Sequence, residues 1–196
     1  MSKQRKLNCI FSGTTCNLTF QFNKYLISAS VGDSRSILIE DTKGSPNFDI
    51  IELSIDHKPD LEQEYERIIK NGGVVEQITD DFGEKFGPKR VWKKGQLYPG
   101  LAMSRSLGDF QAKKCGVIST PHIVEYKINP KTKYLVICSD GIWEFTDNNQ
   151  VREIGNLFYN KNDLKGFCTE LVNKAFLLWE DNDIIRDDIT VVCVYF

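Results

Sequence analysis

Two stretches decide how this chain is read: Tyr134-Leu135-Val136-Ile137-Cys138-Ser139-Asp140-Gly141, and Asp187-Asp188-Ile189-Thr190-Val191-Val192-Cys193-Val194-Tyr195-Phe196. In each, a short run rich in Val and Ile borders an acidic turn, and such runs read as buried strands. Laid antiparallel, they put the end of the first and the start of the second on the same edge of one sheet. Asp140 and Asp187 then sit together beside a hydrophobic core, where a lone charge is costly unless it is paired or binds a metal. The arrangement points to a divalent-cation site.

Outward from these turns the pattern is mixed. The alternation from Tyr25 to Val31, the turn Gly32-Asp33-Ser34 and the run Arg35 to Glu40 together predict a β-hairpin. Residues 41–47, with Gly44, Ser45 and Pro46, read as a surface loop, and Ile50 to Ile55 as a strand. Asp60 and Gln63 fit a capping box for a helix that faces inward through Leu61, Tyr65, Ile68 and Ile69 and stops at Gly72. Val74 to Gly100 has no clear period and reads as an irregular, lid-like excursion. Thr146 is expected to cap a helix through Val151, Ile154 and Leu157. Asn162 or Asp163 opens a longer one with Leu164, Phe167, Leu171, Val172, Ala175 and Leu178 on its inner face. Early and late strands with helices between them, and no βαβ rhythm, make the class α+β, with antiparallel sheets covered by helices.

Composition narrows the function. At 196 residues, 41% hydrophobic and 27% charged, the chain suits one soluble domain or a large part of one. A net charge of −2 argues against a nucleic-acid binder. No run is long enough to span a membrane. The basic start, Met1 to Lys6, precedes no apolar stretch of the kind a secretory signal needs. Cys9, Cys16, Cys115, Cys138, Cys168 and Cys193 form no C-x-x-C pair, so an intracellular setting, cytoplasmic or nuclear, with reduced cysteines is expected.

Read in order, Ser12-Gly13-Thr14-Thr15, Val31-Gly32-Asp33-Ser34-Arg35, Asp56-His57-Lys58-Pro59, Leu101 to Asp109, Ser139-Asp140-Gly141-Ile142-Trp143-Glu144 and Asp187-Asp188-Ile189-Thr190 resemble the protein phosphatase 2C family, the metal-dependent serine/threonine phosphatases. The resemblance runs from Ser12 to Phe196. It implies an α/β/β/α sandwich of two antiparallel sheets flanked by helices, a single partial catalytic domain over residues 1–196 with a flap-like excursion at about 55–100. It also implies phosphoprotein substrates, a monomer, and two Mg²⁺ or Mn²⁺ ions whose bridging water attacks phosphorus, with a third, weaker ion beside them. Carried over, Asp140 and Asp187 match ligands of the metal pair, Asp33 matches a ligand of the third metal, and Glu144 stands where the family often has Asp. Carboxylates suit such hard, octahedral cations.

Departures from the family pattern qualify this expectation. The family domain begins roughly a hundred residues earlier, within ordinary domain sizes. That upstream part carries a phosphate-gripping arginine and an Asp-Gly-His-Gly-Gly segment, and neither stands in this chain. The fold is therefore expected to be incomplete at its N-terminus, the metal site to be half a site, and the chain alone to be weak or inactive. Asp188 replaces a common Asn and adds charge beside a ligand. The alternative is a pseudophosphatase, a catalytically inactive binding or regulatory module. Plainer roles stand beside the chemical ones: Asp140 and Asp33 as turn residues, His57 as a loop anchor, and Arg105, Asp109 and Ser12 to Thr15 as scaffold.

Overall fold

Backbone hydrogen bonding in the computed structural model, which describes residues 8–42, 48–182 and 185–196, defines twelve strands and five helices. In chain order they are β1 (Gly13–Thr14), β2 (Cys16–Phe22), β3 (Tyr25–Val31), β4 (Arg35–Glu40), β5 (Asp49–Glu52), α1 (Glu62–Lys70), β6 (Gly73–Thr79), β7 (Lys85–Lys93), β8 (Pro99–Leu101), β9 (Leu107–Gly108), α2 (Phe110–Lys113), β10 (His122–Lys127), β11 (Thr132–Cys138), α3 (Asp140–Trp143), α4 (Asn148–Tyr159), α5 (Leu164–Asp181) and β12 (Val191–Tyr195). Antiparallel sheets with helices bear out the α+β class. The chain divides into two units, one of Met1–Cys16, Val31–Asp33 and Asp56–Pro121, the other of Asn17–Ser30, Ser34–Ile55 and His122–Phe196.

The second unit has two sheets. One has the order β12-β11-β4-β5 and the other β10-β3-β2. Between them Leu26, Leu38, Leu53 and Leu135 are buried, joined by Val124, Tyr126 and Ile137. The opposite face of the four-stranded sheet, through Ile37, Ile39, Tyr134, Val136 and Cys138, packs on Val151 of α4 and on Phe167, Leu171 and Ala175 of α5. Strand β11 is thus covered on both faces, which is why its sequence is a continuous apolar run rather than an alternation. Its partner β12 is antiparallel as expected but is an edge strand, with Val192 and Val194 partly exposed. On the outer face of β2 and β10, Leu18, Phe20, Phe22 and Ile123 are exposed, and no helix of this unit covers them among the described residues.

Several expectations change. Strands β3 and β4 do not form a hairpin: β3 pairs with β10 and β2, whereas β4 pairs with β11 and β5. The Gly-Asp turn passes the chain from one sheet to the other, and a turn signal does not say which strands it joins. Strand β5 ends at Glu52, and the loop expected at 41–47 lies mostly outside the described residues, as does the basic start. Asp147, one residue beyond Thr146, caps α4 in a full capping box with Gln150 (2.8 and 3.0 Å). Asp163 caps α5 through the Gly166 amide (2.8 Å). Against α4, the Tyr134 hydroxyl donates to Asn156 Oδ1 (2.8 Å), and its ring lies where a Cβ on Gly155 would stand, 2.7 Å from Cζ. Gly155→Ala is expected to cost about 1–3 kcal/mol through overpacking, read as a lower denaturation midpoint at unchanged m-value.

In the first unit, the segment expected to be irregular is an antiparallel sheet of order β6-β7-β8. Glycine, proline and a bulge between Glu76 and Ile78 break its alternation, which hid the strands from a periodicity reading. Trp92 Nε1 donates to the Glu76 carbonyl (2.9 Å) and Gly100 packs on its ring, so this tryptophan braces the sheet. Helix α1 starts from Leu61 without a side-chain cap, so the Asp60 box does not form. Its buried residues are Glu64 and Ile68, while Leu61, Tyr65 and Ile69 are partly exposed. Ile68 joins Val91, Ala112, Cys115 and Val117 in this unit's core.

Candidate metal centre

The ends of β11 and β12 meet in register, Cys138 opposite Val191. Beyond that pair the hydrogen bonding continues into the acidic turns. Ser139 N donates to the Thr190 carbonyl (3.1 Å), Thr190 N donates to Ser139 Oγ (3.0 Å), and Ser139 Oγ donates to the Asp188 carbonyl (3.1 Å). Ser139 therefore ties the turn that leads to Asp140 to the turn that holds Asp187 and Asp188. Glycine at 141 is dictated by the same approach, since a Cβ there would stand 2.5 Å from the Asp188 carbonyl oxygen. Two indoles hold the turn from inside: Trp179 Nε1 donates to the Gly141 carbonyl (2.8 Å) and Trp143 Nε1 to that of Cys138 (3.1 Å). Trp143 stands in the Ser139 to Glu144 motif, whereas Trp179 was not singled out by the sequence, and only its place in an apolar helix stripe could have drawn notice.

Asp140 is half-buried at the start of α3. Asp187 is exposed, and its Oδ1 accepts from the Asp188 amide (2.7 Å). Arg186 lies over the Phe176 ring, 4.3 Å from its centre. Glu144 is exposed at the end of α3, with its amide donating to the Asp140 carbonyl (2.9 Å). Arg35 bonds Asn148 Oδ1 (2.8 Å) and lies 4.8 Å over Trp143, and Asn148 in turn bonds Glu52 Oε1 (2.8 Å), fastening β4 to the helices. Below this edge, burial pushes the Cys138 and Cys193 thiols well above the ordinary range, which suits inert packing groups.

In the first unit, Asp33 is buried and its Oδ2 is ion-paired with Lys58 Nζ. His57 is also buried. Its amide donates to the Gly32 carbonyl (3.0 Å), and its Nδ1 lies 2.9 Å from the same oxygen and accepts from or faces the Gly32 amide at 3.2 Å according to tautomer. It anchors the Asp33 turn. Arg105 and Ser104 serve the scaffold, since both reach the buried Glu64 carboxylate, as does Arg67. In the Leu107-Gly108-Asp109 motif, Gly13 and Gly108 pair so closely that a Cβ at Gly108 would stand 2.5 Å from the Ser12 carbonyl oxygen.

Carboxylate oxygens on two tied turns are suitable donors for a hard cation. Yet among the described residues no group of three or more His, Cys, Asp or Glu side chains is placed to hold a metal ion. Asp140 and Asp187 thus fit part of a donor set, whereas Asp33 already has a cation.

The chain superimposes on a serine-threonine phosphatase 2C from Toxoplasma gondii with a TM-score of 0.79 over 93% of this chain and 58% of that one, at 22% identity, a likeness that concerns the fold. Among curated relatives, a probable protein phosphatase 2C 48 of Oryza sativa subsp. japonica is 32% identical over 98% of this chain and 54% of its own length. A probable protein phosphatase 2C 73 of Arabidopsis thaliana is 33% identical over 100% of this chain and 51% of its own. The protein phosphatase 2C family model matches residues 1–178. The chain belongs to the protein phosphatase 2C family, and it spans about half the length of the curated relatives it matches. Among the described residues no helix is long and apolar enough to cross a membrane.

Proposed function

We propose that this chain is part of a metal-dependent protein serine/threonine phosphatase, in which Asp140 and Asp187 supply carboxylate ligands for Mg²⁺ or Mn²⁺ and Glu144 lies beside them. The observation that carries the reading is the Ser139 clamp, which fastens the two acidic turns together at one sheet edge. Membership of the family supports it. When bound, divalent cations supply Lewis acidity, activating water and neutralising charge on a phosphoryl group. The task of this chain is to position: the Ser139 bonds, the two indole donors and the bare Cα of Gly141 hold side by side the two turns that carry the carboxylates.

Manganese binding and phosphopeptide hydrolysis test the proposal. Asp140→Asn is expected to weaken Mn²⁺ binding at least about tenfold, the lower bound for disturbing even an outer-shell partner of a metal ligand. Turnover by the 196-residue chain alone is expected to be weak and to disappear in the same variant. Hydrolysis that persists in a chelator, or in Asp140→Asn, would sink the metal-dependent mechanism and the role of Asp140 in it. A second reading, an inactive binding module, is favoured by the lack of a three-ligand group among the described residues. A chain that binds no Mn²⁺ would leave that reading standing.

A further inference from the structure

Asp33 is 2% exposed, and a carboxylate at that depth is costly without a counter-charge. The counter-charge comes from Lys58, whose Nζ contacts Oδ2 and whose side chain is 35% exposed. The other oxygen, Oδ1, is buried and has no hydrogen-bond partner among the described residues. The pairing is not left to a wandering lysine arm. The residues just before each partner, His57 and Gly32, are joined by the His57 amide (3.0 Å) and by the imidazole Nδ1 (2.9 Å) to the Gly32 carbonyl. Behind them the Ser104 amide donates to the His57 carbonyl (2.7 Å). The backbone therefore holds residues 32–33 and 57–58 side by side.

We propose that the Lys58 ammonium is a built-in occupant of the Asp33 carboxylate, a side-chain cation standing where a divalent ion would be held, so that a metal reaches Asp33 only by displacing Lys58. The inference rests on the reading of Asp33 as a carboxylate of the metal-binding type and does not depend on catalysis. A divalent ion and an ammonium compete for the same oxygens. A hard cation needs several oxygen ligands to repay its dehydration, and Asp33 has one oxygen engaged and the other turned into buried space. Methionine in place of Lys58 keeps much of the length and apolar stem but removes the charge. The carboxylate is then uncompensated, and the electrostatic advantage passes to the metal.

The experiment uses Mn²⁺ itself, followed by the paramagnetic resonance of the free ion and by thermal melting, on the wild type, Asp33→Asn, Lys58→Met and the double variant. Lys58→Met is expected to bind Mn²⁺ at least about tenfold more tightly at one site than the wild type does. Mn²⁺ is also expected to raise its melting temperature more than that of the wild type. The double variant is expected to lose both gains, and Asp33→Asn alone to leave the wild-type isotherm in place. Superimposable isotherms for wild type and Lys58→Met would overturn the proposal. So would loss of a bound Mn²⁺ on making Asp33→Asn alone. If Lys58→Met folds only with Mn²⁺ present, that supports the proposal, and the Asp33→Asn isotherm decides it independently. A wild type that binds no Mn²⁺ counts against Asp140 and Asp187, while the gain in Lys58→Met still decides the role of Lys58.

Discussion

Gly141→Ala is expected to disable the acidic edge while leaving the fold standing. The added Cβ would lie 2.5 Å from the Asp188 carbonyl oxygen, and 3.1 Å from both the Asp188 carbonyl carbon and Ile189 Cγ1. The obstacle is backbone, so no rotamer change can relieve it. Nor can Gly141 retreat freely, because its carbonyl is held by the buried Trp179 indole. The Asp187-Asp188 turn must therefore move away, breaking the Ser139 bonds to Asp188 and Thr190. Overpacking of this kind costs about 1–3 kcal/mol. On the proposed reading it also weakens Mn²⁺ binding at least about tenfold, since it misplaces one of two ligands. Ser139→Ala is the milder companion, removing the hydroxyl bonds at about 1 kcal/mol without adding bulk. Calorimetric titration with Mn²⁺ beside denaturant unfolding checks both. An alanine at 141 that binds Mn²⁺ as the wild type does would show that the spacing of the two turns does not govern the site.

How much of this was legible in the sequence depends on which force sets each feature. The pairing of β11 with β12 could be read because both runs are short, β-branched and bounded by acidic turns. Helices α4 and α5 could be read because each buries one stripe, and the caps erred by a single residue at Thr146. Features set by tertiary contact could not be read. Strands β6 to β8 carry glycine, proline and cations that mimic a loop, and pairing with one another makes them strands. The turn at Gly32-Asp33 signalled a reversal but not a change of sheet. The same holds at the site. Asp140 and Asp187 could be placed near each other from strand logic alone. The Ser139 clamp, the Trp179 donor and the Lys58 partner of Asp33 join residues far apart in the chain, and no local pattern announces them.

Glu64→Gln is expected to lower stability by about 3 kcal/mol at pH 7, the low end of what breaking a buried ion pair costs. An amphipathic reading of α1 would set this residue in solvent, yet it is 3% exposed. Its Oε1 accepts from Arg67 Nη1 (2.8 Å) and Arg105 Nη2 (2.7 Å), and its Oε2 from Arg67 Nη2 (2.6 Å) and Ser104 Oγ (2.5 Å). Burial alone would raise the carboxyl pKa. The two guanidinium groups and the hydroxyl outweigh it and hold the group far below its ordinary 4.5. A folded-state value depressed in this way stabilises the protein fully above the ordinary carboxylate range, and the benefit is lost as pH falls below it. The gap between wild type and Glu64→Gln is therefore expected to be constant from neutral pH down to about 5, and then to narrow by about 1.4 kcal/mol per pH unit. Denaturant unfolding at several pH values measures it, and a gap that stays constant to pH 3 would show that the carboxylate charge is not what binds α1 to residues 104–105. The consequence reaches Asp33, because Ser104, whose hydroxyl donates to Glu64, donates its backbone amide to the His57 carbonyl (2.7 Å), and His57 anchors Gly32. Loosening Glu64 is expected to free the residues that hold Lys58 against Asp33, so Glu64→Gln should shift Mn²⁺ binding in the same direction as Lys58→Met, by a smaller factor.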